Sequence, residues 1–221
     1  MSDPMTDFAT RRRTMVDTQV RPSDVTKFPI IDAMLTVQRE NFVPDAQREA
    51  AYAEGVIDLG GGRCLPEPRT LAKMLDALNI SKDEAVLDIA PALGYSTAVA
   101  ARMAQLVVAV EVDEDLASEA QTILMDADAD NAVVHVGPLE QGAPEHGPYD
   151  VIMIQGGVER VPEALIAQLK DHGRIACLFV EGELGTVRIG HKSADRVTWR
   201  HAFNANAPIL QPFSAECAFS L

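Results

Sequence analysis

The chain has 221 residues, 47% hydrophobic and 24% charged, which excludes disordered, collagenous and low-complexity classes and leaves length enough for a sizeable core. Lys plus Arg number 19 against 33 Asp plus Glu, a formal charge of −14, which disfavours a surface that wraps nucleic acid because phosphate binding needs clustered cations. No apolar run approaches the roughly 18 residues needed to span a bilayer, and Met1 to Arg13 has no apolar signal core, so the expected setting is cytoplasmic, without membrane contact. Cys64, Cys177 and Cys217 are odd in number and far apart, so neither a disulfide framework nor a zinc site is expected.

In chain order, residues 5–20 read as a helix with Phe8, Met15, Val16 and Val20 inward. Arg11, Arg12 and Arg13 are read as a solvated face, with an anion-binding patch as the sharper alternative. Pro29 opens a second helix over 29–38, buried through Ile30, Ile31, Met34 and Leu35. A short Ala-rich helix is expected over 45–53, and Leu59-Gly60-Gly61-Gly62 as a flexible loop. Pro66-Glu67-Pro68 begins a helix to about residue 79, with Leu71, Leu75 and Leu78 as its apolar stripe.

From residue 85 the pattern alternates. Strands are expected at 85–90, 106–111, 132–136, 150–154 and 174–179, and helices at 96–103, 115–125 and 161–169. Such alternation implies parallel βαβ units in a doubly wound, mostly parallel α/β sheet. The tail lacks helices: 186–189, 197–203 and 215–221 read as strands around a turn region at 181–196, an antiparallel edge to the sheet, with Trp199 in the core. Residues 1–80 form an N-terminal helical extension and 81–221 the Rossmann-like unit.

In an open parallel sheet, ligands bind outside the carboxyl ends of the strands. Three ends carry distinctive residues: Asp88-Ile89-Ala90-Pro91-Ala92-Leu93-Gly94-Tyr95, Glu111-Val112-Asp113, and Gln155-Gly156-Gly157. A dinucleotide site would need G-x-G-x-x-G to bring amides onto a pyrophosphate, and only Gly94 is present in the relevant turn, which argues against a nicotinamide-dependent oxidoreductase. A methyl-donor site has no pyrophosphate; it needs a tight turn beside the methionine part and a carboxylate for the ribose. Glu111 ends the second strand about twenty residues on, where a ribose hydroxyl pair is held; the alternative is a solvated strand end. Asp88, at an inward position, is expected to accept bonds from loop amides or a ligand.

These residues resemble the protein-L-isoaspartate O-methyltransferase family of class I, S-adenosylmethionine-dependent enzymes. The resemblance runs from Arg12-Arg13-Thr14-Met15-Val16 and Gln19-Val20-Arg21-Pro22, through Arg39-Glu40-Asn41-Phe42-Val43-Pro44 and Ala51-Tyr52, to Tyr149–Ile154 and Val161-Pro162-Glu163-Ala164-Leu165. It implies a Rossmann-like class I methyltransferase fold and S-adenosylmethionine as cofactor. The methyl acceptor it implies is an isoaspartyl protein or peptide, or a related carboxylate. Carried onto this sequence, the cofactor residues are Asp88, Ala90, Pro91, Ala92, Gly94, Tyr95, Glu111, Val112, Pro138, Leu139 and Gln155.

The departures are local. The family's Gly-x-Gly-x-Gly is here Ala90-Pro91-Ala92-Leu93-Gly94, its Gly-Asp-Gly is Gly137-Pro138-Leu139, and its Thr-Ile-Ser is Cys64-Leu65-Pro66. Glu140 is a candidate stand-in for the missing Asp. With no serine at position 66, the candidates at the reaction centre are Arg63 and Arg69, as partners for a substrate carboxylate, and Cys64, either a reactive thiol or a small apolar filler. His135, His146, His172, His191 and His201 show no metal-ligand spacing, so no metal is expected. A second reading, prompted by the same losses, is a catalytically silent module that keeps the fold for binding.

Overall fold

A computed structural model describes residues 4–215 of the chain. Helix α1 spans Pro4–Met15, and a single π-helical turn, Val16–Val20, continues it. Arg21–Ser23 closes the segment in 3₁₀ geometry, since Pro22 cannot propagate a helix. Helix α2 spans Phe28–Thr36 with Pro29 in its first turn. The Ala-rich stretch is not an α-helix but a 3₁₀ run, Asp45–Ala50.

The Gly-rich segment expected as a loop is a hairpin. Strands β1 (Ile57–Gly60) and β2 (Arg63–Leu65) pair antiparallel, and Gly60 faces Arg63 across two turn residues. Those two, Gly61 and Gly62, have φ of 57° and 75°. Two consecutive positive φ values define a tight turn that L side chains disfavour, so the glycines set the register. Helix α3, Pro68–Leu78, follows with Leu71, Met74, Leu75 and Leu78 buried, and Asn79 at φ 50° ends it.

The main sheet has seven strands in the order β5-β4-β3-β6-β7-β8-β9. In chain order they are β3 (Ala85–Ile89), β4 (Leu106–Glu111), β5 (Ala132–Val136), β6 (Tyr149–Val158), β7 (Leu169–Glu181), β8 (Leu184–Ser193) and β9 (Arg196–Asn204). The intervening helices are α4 (Tyr95–Ala101), α5 (Glu114–Asp126) and α6 (Glu163–Gln168). Strands β3 to β7 run parallel; β8 and β9 add the expected antiparallel edge. The stretch expected as a turn at 181–196 is mostly β8, whose hairpin turns are short. The expected strand at 215–221 falls almost wholly outside the described residues. Trp199 is half-buried and packs edge-on against Phe179, rather than filling the core.

The chain leaves β3 towards β4 and β5, then returns to lay β6 on the other side of β3. That reversal is where open α/β sheets form their ligand crevice. One apolar cluster joins α2, α3, α4 and Met15, Val16, Val20 and Val25 to one sheet face; the other packs Leu165, Leu210 and Phe213 on the opposite face. No helix among the described residues is long and apolar enough to cross a membrane.

Candidate functional site

The turn after β3 takes left-handed geometry at three positions. Ala90 and Ala92 hold φ of 58° and 54°, and Gly94 holds 92°. L-residues disfavour this region by about 1–2 kcal/mol each. Two alanines thus occupy left-handed positions suited to glycine, and the surrounding packing enforces them, since both are fully buried. The Ala90 amide is satisfied by the Val110 carbonyl at 3.0 Å.

Asp88, also fully buried, is held by side chains and not by the loop amides expected from the sequence. Ser96 Oγ and Thr97 Oγ1 donate to its Oδ2 at 2.6 and 2.8 Å, and Gln155 Nε2 donates to Oδ1 at 2.8 Å. Burial outweighs these donors and pushes the carboxyl up to about 6. The Gln155 Oε1 has no hydrogen-bond partner among the described residues.

A cavity of about 710 Å³ opens at the carboxyl end of β4. Glu111 and Val112 form its floor, Leu116 and Leu139 its sides, and the Gly60–Arg63 tip of the hairpin its roof. Val112 is half exposed there, an apolar platform beside a carboxylate. Glu111 is no solvated strand end: it has no exposure and is paired to Arg63. Arg63 Nη2 donates to Oε1 at 2.6 Å, and Nε reaches Oε1 and Oε2 at 3.1 and 3.0 Å. The Val112 amide adds 2.9 Å to Oε1. A carboxylate has about four lone-pair sites. Three contacts crowd Oε1, while Oε2 takes one, so Oε2 keeps acceptor capacity for a hydroxyl donor, though Arg63 covers it.

This pairing corrects the reading of Arg63 as a free anchor for a substrate carboxylate. Arg69 is half-exposed, 3.9 Å from Glu67. Cys64 is buried, and burial pushes its thiol up to about 11, which makes it a filler and not a nucleophile. The arginine run at 11–13 is also not uniformly solvated. Arg12 is buried, donating from Nε to the Tyr52 hydroxyl at 2.9 Å and from Nη2 to Glu40 Oε1 at 3.1 Å, and Tyr52 in turn donates to Glu40.

Of the expected cofactor residues, Glu111, Val112 and Leu139 line the large cavity. Asp88, Ala90, Pro91, Ala92, Gly94 and Tyr95 are buried and are not among its walls. Pro138 is exposed outside it, and Glu140 is not among its walls. Gln155 instead joins Cys64, Pro66 and Thr70 around a second, very small cavity of about 10 Å³ behind the hairpin. Thr70 was not singled out in the sequence. It lies in the first turn of α3, buried, shares this cavity with Pro66, and its hydroxyl donates to Glu67 Oε2 at 3.4 Å. Arg39 also escaped notice, because a lone arginine carries no local signal. It is wholly buried, donates to the Ala51 and Pro66 carbonyls at 2.7 Å each, and lies over the Tyr95 ring at 4.8 Å. It thereby ties the Pro66 loop to the start of α4. Desolvation lowers its guanidinium from the usual arginine range.

The seven-stranded, mostly parallel sheet with its antiparallel β8–β9 edge, and a carboxylate ending β4, has the class I methyltransferase fold. A family profile described as protein-L-isoaspartate(D-aspartate) O-methyltransferase (PCMT) matches residues 11–201. The chain belongs to that family. It is 36% identical to the protein-L-isoaspartate O-methyltransferase of Methylorubrum extorquens over 174 residues, 79% of this chain and 76% of that one. With the enzyme of that name from Roseiflexus castenholzii it shares 34% over 169 residues, 76% of this chain and 77% of the other. Solved structures agree on the fold. A protein-L-isoaspartate O-methyltransferase superposes with a TM-score of 0.79 at 23% identity, over 90% of this chain and 65% of that one. The beta-aspartate methyltransferase of Plasmodium falciparum, solved with S-adenosyl-L-homocysteine, gives 0.77 at 18% identity, over 92% and 97%.

Proposed function

We propose that this protein transfers a methyl group from S-adenosylmethionine to a carboxylate of damaged, isoaspartyl-containing protein or of a related acceptor. The observation that carries this reading is Glu111, which ends β4 on the floor of a nucleoside-sized cavity, next to the Val112 platform. The residues fit the cofactor. Oε2 of Glu111 would accept a ribose hydroxyl, Val112 and Leu139 would offer apolar surface to a base, and the β3 turn keeps left-handed geometry at positions 90, 92 and 94. When bound, the cofactor supplies an activated methyl on a sulfonium whose leaving group is a neutral thioether.

The protein's own contribution is positioning. An isoaspartyl carboxylate is ionised at neutral pH, so no general base is required. Alignment and exclusion of water carry the reaction. Thr70 provides the hydroxyl that orients the acceptor, and Arg39 holds the Pro66 carbonyl and so the loop that covers it. In this reading residues 1–80 cap the acceptor side and residues 81–221 hold the cofactor, in a cytoplasmic protein that does not act on nucleic acid. The test is methyl-ester formation on an isoaspartyl peptide, with the aspartyl peptide as control. Cofactor bound without ester formed removes the acceptor assignment.

One observation favours the second reading, a silent binding module. Arg63 already neutralises the ribose carboxylate and occupies most of its acceptor capacity. That module binds no cofactor and shows no thermal shift with it.

A further inference from the structure

At the end of β5, the His135 ring folds back over Gly137. A Cβ at residue 137 would sit 2.8 Å from His135 Nε2, so glycine is what admits the ring. The other nitrogen, Nδ1, lies 3.1 Å from Glu145 Oε1. His146 follows in a 3₁₀ turn opened by Pro144, with Nε2 4.0 Å from the same oxygen. The two imidazoles meet edge to face, centroids 5.9 Å apart. One donor atom of each residue lies within 4.8 Å of the others. The proposed methyl transfer uses none of the three.

We infer that His135, Glu145 and His146 form a binding site for a divalent transition-metal ion, Zn²⁺ foremost. A tetrahedral Zn²⁺ with bonds of about 2.0–2.1 Å spaces its ligand atoms about 3.4 Å apart. The His135–Glu145 pair already meets that spacing. The His146 nitrogen, 4.0 Å from Glu145 Oε1, must close in on the pair, and both side chains of the turn are half-exposed and can rotate. Two imidazoles and one carboxylate suit zinc, nickel or copper and not the hard, all-oxygen preference of magnesium or calcium. Three protein ligands leave a fourth position for water. The formal charge of −14 raises the local cation concentration.

The site has a structural consequence. It fastens the end of β5 to the 144–146 turn and so closes the intervening loop. Leu139, on that loop, walls the cavity above Glu111. A bound ion therefore braces the wall on which the cofactor's base is proposed to rest.

The test uses untagged full-length protein, stripped by chelator and titrated with Zn²⁺ by calorimetry and with Co²⁺ by visible absorption. The expected result is one ion per chain with Kd of about 10 μM or tighter, and the intense visible bands of tetrahedral Co²⁺. His146→Ala and Glu145→Gln, both on an exposed turn, are expected to weaken binding at least about tenfold, as is His135→Ala. His172→Ala with His201→Ala leaves it unchanged. The absence of saturable binding overturns the inference. So does saturable binding that the three site variants do not weaken.

Discussion

Replacing Arg63 by Met tests whether Glu111 is held by a buried ion pair. The substitution removes three N–H···O contacts, of 2.6, 3.0 and 3.1 Å, and leaves the Val112 amide as the carboxylate's remaining donor. Breaking a buried pair strands a charge and costs about 3–5 kcal/mol. Arg63 lies on the cavity wall, so its removal lets water reach the uncovered Glu111 carboxylate, and the loss should fall at the low end, about 3 kcal/mol. For a chain of this size that is a fall in Tm of about 6–12 °C. The double variant Arg63→Met/Glu111→Gln strands no charge and should recover to within about 1 kcal/mol of the parent. Urea unfolding at pH 7 on the parent, both single variants and the double variant yields the coupling energy. A loss below about 0.5 kcal/mol for Arg63→Met, or a double variant no better than the single, would refute the argument.

Other expectations follow from the same geometry. Arg63→Met, once shown to be folded, should bind S-adenosylhomocysteine more tightly than the parent in calorimetry, because no guanidinium then competes for Glu111. Asp88 keeps its proton in the folded protein up to about pH 6, against an ordinary value near 3.8. Its stabilising contribution is complete below about pH 4 and is lost as pH rises through 6, so relative to Asp88→Asn the parent should lose about 2–3 kcal/mol between pH 4 and 7 in matched urea melts. The unpartnered Gln155 Oε1 can turn to accept from the new amide. Cys64 should remain unalkylated by iodoacetamide at pH 8 in the native protein, as mapped by mass spectrometry, since its thiol titrates only near 11. Thr70→Val should lower kcat for isoaspartyl peptide about tenfold or more while leaving cofactor affinity unchanged.

Much of the fold could be read from the sequence because its signals are local. Strands β4 and β5 fall at their expected bounds, and α5 begins one residue before its expected start, with the Asp113 side chain accepting from the Leu116 amide. The hairpin at 57–65 was misread because adjacent glycines were taken for flexibility, although two positive-φ residues between paired strands make a rigid turn. The residues that matter most at the site carry non-local information. Arg63 and Glu111 are 48 positions apart, and nothing near either reveals the other. Arg12 reads as part of a solvated face and Arg39 carries no signal of its own beyond the family-like stretch, yet each is buried among acceptors supplied by distant segments. The histidines show the same limit: His135 meets Glu145 and His146 only because the loop between them closes. The left-handed turn at Ala90 and Ala92 was foreseeable as a conflict, but its outcome depended on packing that no propensity contains.

The central claim is that Glu111 and the β3 turn still accept S-adenosylmethionine despite Arg63 and the alanines. Calorimetric titration of S-adenosylmethionine and S-adenosylhomocysteine into the protein tests it most directly. The expected result is a single saturable site in the micromolar range, about −8 kcal/mol, weakened at least about tenfold by Glu111→Gln. No detectable heat or thermal shift with either ligand would contradict it and leave the fold as a binding module without a cofactor.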